Sequence, residues 1–117
     1  MQKKRTDSNR GMRIAAKVQT LVAEILRDKY SDDPIVAGVS LVGSVAHGGL
    51  QFVRLYYYSR SSDTAAVQKR LDEISRSVRF ELAARMNQKY VPDIRFEYDD
   101  TLDRASRIDE LLANIGD

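Results

Sequence analysis

The stretch that decides the fold is Tyr90-Val-Pro-Asp-Ile-Arg-Phe-Glu-Tyr-Asp-Asp100. Pro92 stops any helix that precedes it, because proline lacks an amide proton and its ring clashes with the preceding helical turn. Ile94, Phe96 and Tyr98 then alternate with charged residues. This two-residue period is typical of a half-exposed β-strand. We therefore predict a strand here, and the elements before it decide how that strand pairs.

A long helix leads into this strand over residues 64–87. Its apolar residues recur at intervals of three and four, at Val67, Leu71, Ile74, Val78, Leu82 and Met86. Asp63 stands where an N-cap belongs. Ser75-Arg76-Ser77 interrupts the middle of the pattern, and serine competes for backbone hydrogen bonds. We therefore expect a bend or a break in the helix near Arg76.

Two strands precede the helix. Residues 35–45 show alternation, and β-branched and aromatic residues dominate 50–58. Gly48 and Gly49 between them tolerate positive φ, so we predict an antiparallel hairpin. The periodicity leaves open which parity of the second strand faces solvent. One parity mixes aromatic residues with a cation, namely Phe52, Arg54, Tyr56 and Tyr58.

The two ends of the chain differ in character. Residues 1–12 predict a flexible, disordered basic arm, and 13–30 an amphipathic helix that ends before Asp33-Pro34. Residues 101–117 predict an acidic tail with a short helical segment near Ala105 to Leu112. The domain over 13–100 is therefore expected to be α+β, a mixed three-stranded sheet with its helices on one face.

Composition describes one small domain. The chain has 117 residues, of which 43% are hydrophobic and 31% charged. No apolar run approaches the roughly 20 residues that cross a bilayer, and no apolar segment follows the basic start as in a secretory signal. The absence of cysteine excludes disulfides, thiolate metal sites and a cysteine nucleophile. We expect a cytoplasmic protein.

The net charge of +2 hides a polarity along the chain. Residues 1–30 carry eight basic and three acidic residues (+5), 31–92 carry eight and six (+2), and 93–117 carry three and eight (−5). The basic residues favour RNA or DNA binding, although a merely solvated surface remains an alternative. The candidate RNA-binding residues are Lys3, Lys4, Arg5, Arg10, Arg13, Lys17, Arg76, Arg79, Arg85 and Lys89.

Catalytic chemistry finds little support. His47 is the single histidine, and we interpret it as a solvated turn residue with neither a metal partner nor a nucleophile to activate. The acidic pairs Asp32-Asp33 and Asp99-Asp100 flank predicted elements, where capping is the commoner use of acids. The tyrosines at 56–58 could stack bases, but alternation between core and surface is the commoner role in a strand. We expect no enzyme, no metal, no cofactor and no small-molecule substrate.

Several segments together resemble a known family. They are Arg13-Ile-Ala15, Asp33-Pro34, Leu50-x-x-x-Arg54-Leu-Tyr56, residues 90–100, and Arg107-Ile-Asp109-x-Leu-Leu112. In this order and spacing, from about residue 10 to 113, the chain resembles bacterial ribosome-binding factor A. The segment from Val91 to Asp100 is the most specific part.

The resemblance implies a K-homology fold of the second type, ordered helix-strand-strand-helix-helix-strand. It also implies a protein that binds the immature small ribosomal subunit and its rRNA and assists late maturation near the 5′ end, above all in the cold. We expect a monomer when free. Ile74-Ser75-Arg76 stands where relatives have an Ala-x-Gly kink, and His47-Gly48-Gly49 where they have a serine and aspartate turn. A protein-interaction or oligomerisation domain without RNA contact is the alternative.

Overall fold

The structure, a computed structural model, describes residues 2–49, 51–101 and 111–112, with side chains from Arg10 onward. The elements in chain order are α1 (Gln2–Lys29), α2 (Pro34–Ala37), β1 (Val39–His47), β2 (Phe52–Ser59), α3 (Thr64–Met86) and β3 (Asp93–Tyr98). The predicted order of main elements is confirmed, and α2 is additional to it.

Helix α1 begins at Gln2 and not at the predicted Arg13. The backbone is already helical from Gln2, so the predicted start of the helix at Arg13 is wrong. Glutamine, lysine and arginine favour helix, and no proline interrupts this segment. Apolar residues recur at helical spacing only where one face of a helix is buried. A helical segment made of polar residues therefore lacks the pattern by which a helix is predicted. The division of the chain into arm, domain and acidic tail stays a prediction.

The short helix α2 replaces the start of the predicted first strand. The Asp33 carboxylate accepts hydrogen bonds from the amides of Ile35 (2.9 Å) and Val36 (3.2 Å), which caps the helix. Pro34 occupies the first turn, where its missing amide proton costs nothing. Because α2 takes up Ile35 and Val36, strand β1 begins only at Val39.

The three strands form a mixed sheet in the order β1-β2-β3. Strands β1 and β2 are antiparallel, with His47 opposite Phe52, and β2 and β3 are parallel, with Phe52 opposite Asp93. The hairpin turn uses Gly48 (φ 58°) and Gly49 (φ 62°) in the left-handed region. The predicted hairpin and mixed sheet are thus confirmed.

The core lies between the helices and one parity of β2. Val53, Leu55 and Tyr57 are completely buried. Their helical neighbours in the core include Val18, Val22, Ile25, Leu71, Val78 and Leu82. The parity that the sequence left open is settled, because Phe52, Arg54, Tyr56 and Tyr58 alternate with these buried residues and lie on the uncovered face.

Helix α3 is continuous from Thr64 to Met86. The two helices expected from a break near Arg76 are therefore one helix. Ile74 and Val78 are buried on either side of Arg76, so a single apolar face continues through the serines. The helix ends at Asn87, whose φ of 51° turns the backbone away.

The predicted short helix near the C-terminus lies outside the described residues, apart from Leu111 and Leu112. These two are helical and exposed. Among the residues that the structure describes, no helix is both long and apolar enough to span a bilayer.

Candidate nucleic-acid interface

The exposed side of α1 carries a row of cations that we call the α1 basic stripe: Arg10, Arg13 and Lys17. Intervals of three and four residues bring them onto one side of the helix. All three are exposed, while Ala15 and Val18 bury the opposite side. None forms an ion pair with another described side chain. The stripe extends over about 10 Å at a rise of about 1.5 Å per residue, enough to face more than one phosphate.

Three further predicted residues precede this stripe. They are Lys3, Lys4 and Arg5, and their backbone is part of the same helix, α1. Their side chains are outside the described part, so their roles stay predictions.

Arg85 is occupied by acids of two helices. Its guanidinium lies 3.1 Å from Asp28 and 3.9 Å from Glu24 of α1, and 3.5 Å from Glu81 of α3. These carboxylates compete with any phosphate for its donors, and the contacts hold α3 against α1. Arg85 therefore acts as an internal tie and is a poor candidate for RNA contact.

Arg79 is similarly engaged, with β3 and the loop before it. Its Nε lies 2.8 Å from the Asp93 carboxylate, and its Nη2 donates a hydrogen bond to the Val91 carbonyl at 3.0 Å. This pair places the end of the 87–92 loop and the start of β3 beside α3. Arg79 consequently contributes little free positive charge.

Arg76 and Lys89 remain available for a ligand. Both are exposed, and neither forms an ion pair within the part of the chain that the structure describes. Arg76 shares a groove with Lys29, a cation at the end of α1 that the sequence reasoning missed. The predicted set thus divides into free cations (Arg10, Arg13, Lys17, Arg76, Lys89) and paired ones (Arg79, Arg85).

An ion pair between Asp33 and Arg70 fixes the corner next to this surface. The Arg70 Nε donates to the Asp33 carboxylate at 2.7 Å. This hydrogen bond, helped by the capping amides of Val36 and Ile35, lowers the pKa of Asp33 despite its burial. The same bond raises the pKa of the Arg70 guanidinium. The pair ties α2 to α3 and so orders the chain that follows α1.

The uncovered sheet face holds an aromatic and cationic cluster. The Phe52 ring stacks on His47 at 4.9 Å between centroids, and the Arg95 guanidinium lies 4.0 Å from the Phe52 centroid. Arg54 pairs with Glu97 at 3.7 Å. His47 is half-buried, and its Nε2 is buried without a hydrogen-bond partner in the described part. The interpretation of His47 as a solvated turn residue is therefore wrong.

Among the residues that the structure describes, no three histidine, cysteine or acidic side chains lie close enough together to hold a metal ion. The candidate site consists instead of exposed cations on two helices, beside an aromatic sheet face. This arrangement can bind an extended polyanion through its phosphates.

Comparisons with known proteins give the family. The family described as ribosome-binding factor A matches residues 10–112. Ribosome-binding factor A of Limosilactobacillus fermentum is 39% identical over 103 residues, covering 86% of this chain and 85% of that protein. Its counterpart in Nitrobacter winogradskyi is 35% identical over 108 residues, covering 90% and 79%.

A solved structure supports the same conclusion at the level of the fold. The crystal structure of ribosome-binding factor A from Thermus thermophilus superposes with a TM-score of 0.64 at 15% identity, covering 75% of this chain and 94% of that one. The shared fold is the K-homology-like α+β architecture that the family resemblance implied. On the extent of the family match and the identity of these relatives, the chain belongs to the ribosome-binding factor A family.

Proposed function

We propose that this protein binds the immature small ribosomal subunit in the cytoplasm, contacts its rRNA near the 5′ end and assists late maturation, most importantly in the cold. Membership of the ribosome-binding factor A family supports a ribosomal partner. We further propose that the free protein is a monomer and that it carries out no catalysis. Its contribution would then come from docking onto a much larger particle.

The observation that carries the proposal is the α1 basic stripe. Arg10, Arg13 and Lys17 are exposed, aligned and without ion pairs among the described residues. A cation that contacts a phosphate releases a condensed counterion, and this release drives association with RNA. A cation already held by a carboxylate has less to gain. Unpaired, aligned cations are therefore the feature that distinguishes this face from an ordinary charged surface.

The recognition that this surface supports is of shape and phosphate position. Phosphate contacts orient a protein on RNA without reading bases. Arg76 and Lys89 add free cations on α3 and just after it, whereas Arg79 and Arg85 hold α3 in place. The acidic tail, residues 101–117, would stay off the RNA by repulsion or regulate the fit.

Sedimentation with purified ribosomal subunits tests the proposal. The protein is mixed with immature small subunits, mature small subunits or large subunits and separated on a sucrose gradient at moderate salt. We expect co-migration with small subunits, strongest for immature ones, and loss of co-migration when Arg13 and Lys17 are changed to glutamate. Equal co-migration with large subunits, or no effect of the charge reversal, would refute it.

The uncovered sheet face favours one second candidate, a protein-interaction or oligomerisation role without RNA contact. Val42 and Val45 are exposed on β1, and Val45 lies opposite Arg54 of the uncovered sheet face. Light scattering at increasing concentration tests self-association. Ribosome association that survives complete nuclease digestion of the RNA would favour this role over the first.

A further inference from the structure

Phe80 is an aromatic residue that the fold does not use. It lies on α3 two residues after the buried Val78, and 79% of its surface is exposed. Single exposed apolar residues are common and by themselves indicate nothing. The surroundings of Phe80 distinguish it, since its ring borders a groove that contains a second aromatic residue and two cations.

The groove runs between the C-terminal end of α1 and the middle of α3, with a volume of about 540 Å³. The buried Ile25 contributes to its base, and Tyr30 and Phe80 contribute aromatic rings. We call it the α1–α3 groove. Its lining is mainly apolar, with polar groups at a few positions, as in sites that hold flat organic rings.

The charge of the α1–α3 groove is positive. Lys29 and Arg76 line it, both exposed and neither in an ion pair with a described side chain. The acid in its lining, Glu81, lies 3.5 Å from Arg85 and is therefore already partnered. Arg76 precedes Phe80 by four residues, so the two side chains lie on the same side of α3, one turn apart.

An aromatic ring one helical turn from a free guanidinium matches the chemistry of one nucleotide of a single strand. The flat base can stack on the ring, and the adjoining phosphates can contact the cations. Duplex RNA keeps its bases stacked inside the helix and cannot offer one to the groove. An acidic peptide would use the cations, but it would need an additional flat apolar side chain to match the aromatic rings, whereas one nucleotide supplies both groups.

We propose that the α1–α3 groove binds an unpaired nucleotide of RNA, with its base stacked on Phe80 and its neighbouring phosphates held by Arg76 and Lys29. This inference rests on the proposed function, because it assumes that the protein meets RNA. It adds a single-strand-specific contact to the phosphate contacts of the α1 basic stripe. The protein would then recognise a place where helical rRNA gives way to an unpaired nucleotide.

A fluorescence experiment tests the stacking directly. The chain contains no tryptophan, so Phe80→Trp introduces a single tryptophan, which can be excited apart from the six tyrosines. Val42→Trp is the control, because Val42 is 51% exposed on β1 and lies outside the lining of the groove. The probes are octa-adenylate RNA and a self-complementary octamer RNA duplex. We expect quenching of the Phe80→Trp emission by the single strand, with little quenching by the duplex or in the control.

Binding measurements complete the test. Phe80→Ala should weaken binding of octa-adenylate by about 5- to 150-fold, which is the range for loss of one base–aromatic stack, and should leave duplex binding unchanged. Since Phe80 is largely exposed, this variant should unfold at the same temperature as the parent. Equal quenching in the two tryptophan variants, quenching by the duplex as strong as by the single strand, or unchanged affinity of Phe80→Ala would overturn the proposal.

The same variants separate this proposal from the function on which it rests. Suppose that Phe80→Ala binds octa-adenylate and small subunits as well as the parent does, while charge reversal of Arg13 and Lys17 abolishes binding. This result refutes nucleotide binding in the groove and leaves the proposed function standing. Small-subunit binding that survives the charge reversal refutes the proposed function itself. A change in Phe80→Trp emission that appears with small subunits, persists after nuclease digestion of their RNA and is absent with both RNA probes would assign the groove to a protein partner and also overturn the proposal.

Discussion

Replacing Arg13 and Lys17 with glutamine should weaken the salt dependence of RNA binding by a calculable amount. Each phosphate contact with single-stranded RNA contributes about 0.7 to the slope of log K against log salt. Two lost contacts therefore reduce the slope by about 1.4, equivalent to about 25-fold in affinity at 0.1 M monovalent salt. The two side chains are exposed, so the fold should be unaffected.

Arg60→Gln with Lys69→Gln is the matched control for this pair. Both variants lower the net charge from +2 to 0 (+2 − 2 = 0), and both remove exposed cations. Lys69 is next to Arg70, and Arg70 contacts Asp33, which follows the end of α1 in the chain. Lys69 therefore lies near the C-terminal end of α1. Lys17 is twelve residues before that end at Lys29, about 18 Å along the helix. A net-charge effect would be equal in the two variants, whereas direct contact changes only the first.

Fluorescence anisotropy with immature small subunits, at 50, 100 and 200 mM salt, measures both slopes. We expect a clear loss of slope for Arg13→Gln with Lys17→Gln and little change for the control. Parallel lines for the parent and both variants would show that the α1 basic stripe makes no phosphate contact. Equal losses in both variants would show that net charge alone governs binding.

Three other predictions concern the scaffold. Asp33→Asn keeps a capping side chain but removes the charge that faces Arg70. Because folding lowers the pKa of Asp33 from 3.8, the stability advantage of the parent over this variant should be complete well above pH 3.8 and should fade as the pH falls through the lowered pKa. Urea midpoints that differ equally at pH 7 and pH 3 would contradict this. Arg76→Gly places glycine inside the continuous helix α3 and should reduce the free energy of unfolding by about 1 kcal/mol relative to Arg76→Ala; a gain in thermal stability would instead show that the sequence prefers a kink. Gly48→Ala puts a Cβ at φ 58° and 3.0 Å from the Gln51 side-chain oxygen, so calorimetry should show a loss of about 1 to 2 kcal/mol, whereas an unchanged melting temperature would refute the assigned turn geometry.

The main elements could be predicted because burial imposes a period on the sequence. Helix α3 and strand β3 each show the spacing of a single buried face, and Gly48 with Gly49 marks the turn. The early start of α1 was missed because residues 2–12 carry no apolar period. The short helix α2 was missed because Asp33-Pro34 was interpreted only as the end of a helix, although the same pair also begins one.

The sequence showed which cations could form the candidate site, but not which of them are free of ion pairs and so available to bind phosphate. The cations could be found by inspection, yet nothing local to Arg85 reveals Glu24 and Asp28, which reach it from another helix. The pairing of Arg79 with Asp93 is equally non-local. Phe80 carried a usable signal, since it lies off the apolar period of α3 and a residue there must be exposed.

Ultraviolet crosslinking between the protein and immature small subunits tests the central claim most directly. A photoreactive amino acid is placed at Ala16, exposed on α1 between the stripe residues Arg13 and Lys17, and the attachment sites are mapped on the rRNA by primer extension. The account predicts crosslinks to rRNA near its 5′ end, lost when Arg13 and Lys17 are reversed to glutamate. Crosslinks confined to ribosomal proteins, or to rRNA remote from the 5′ end, would contradict it.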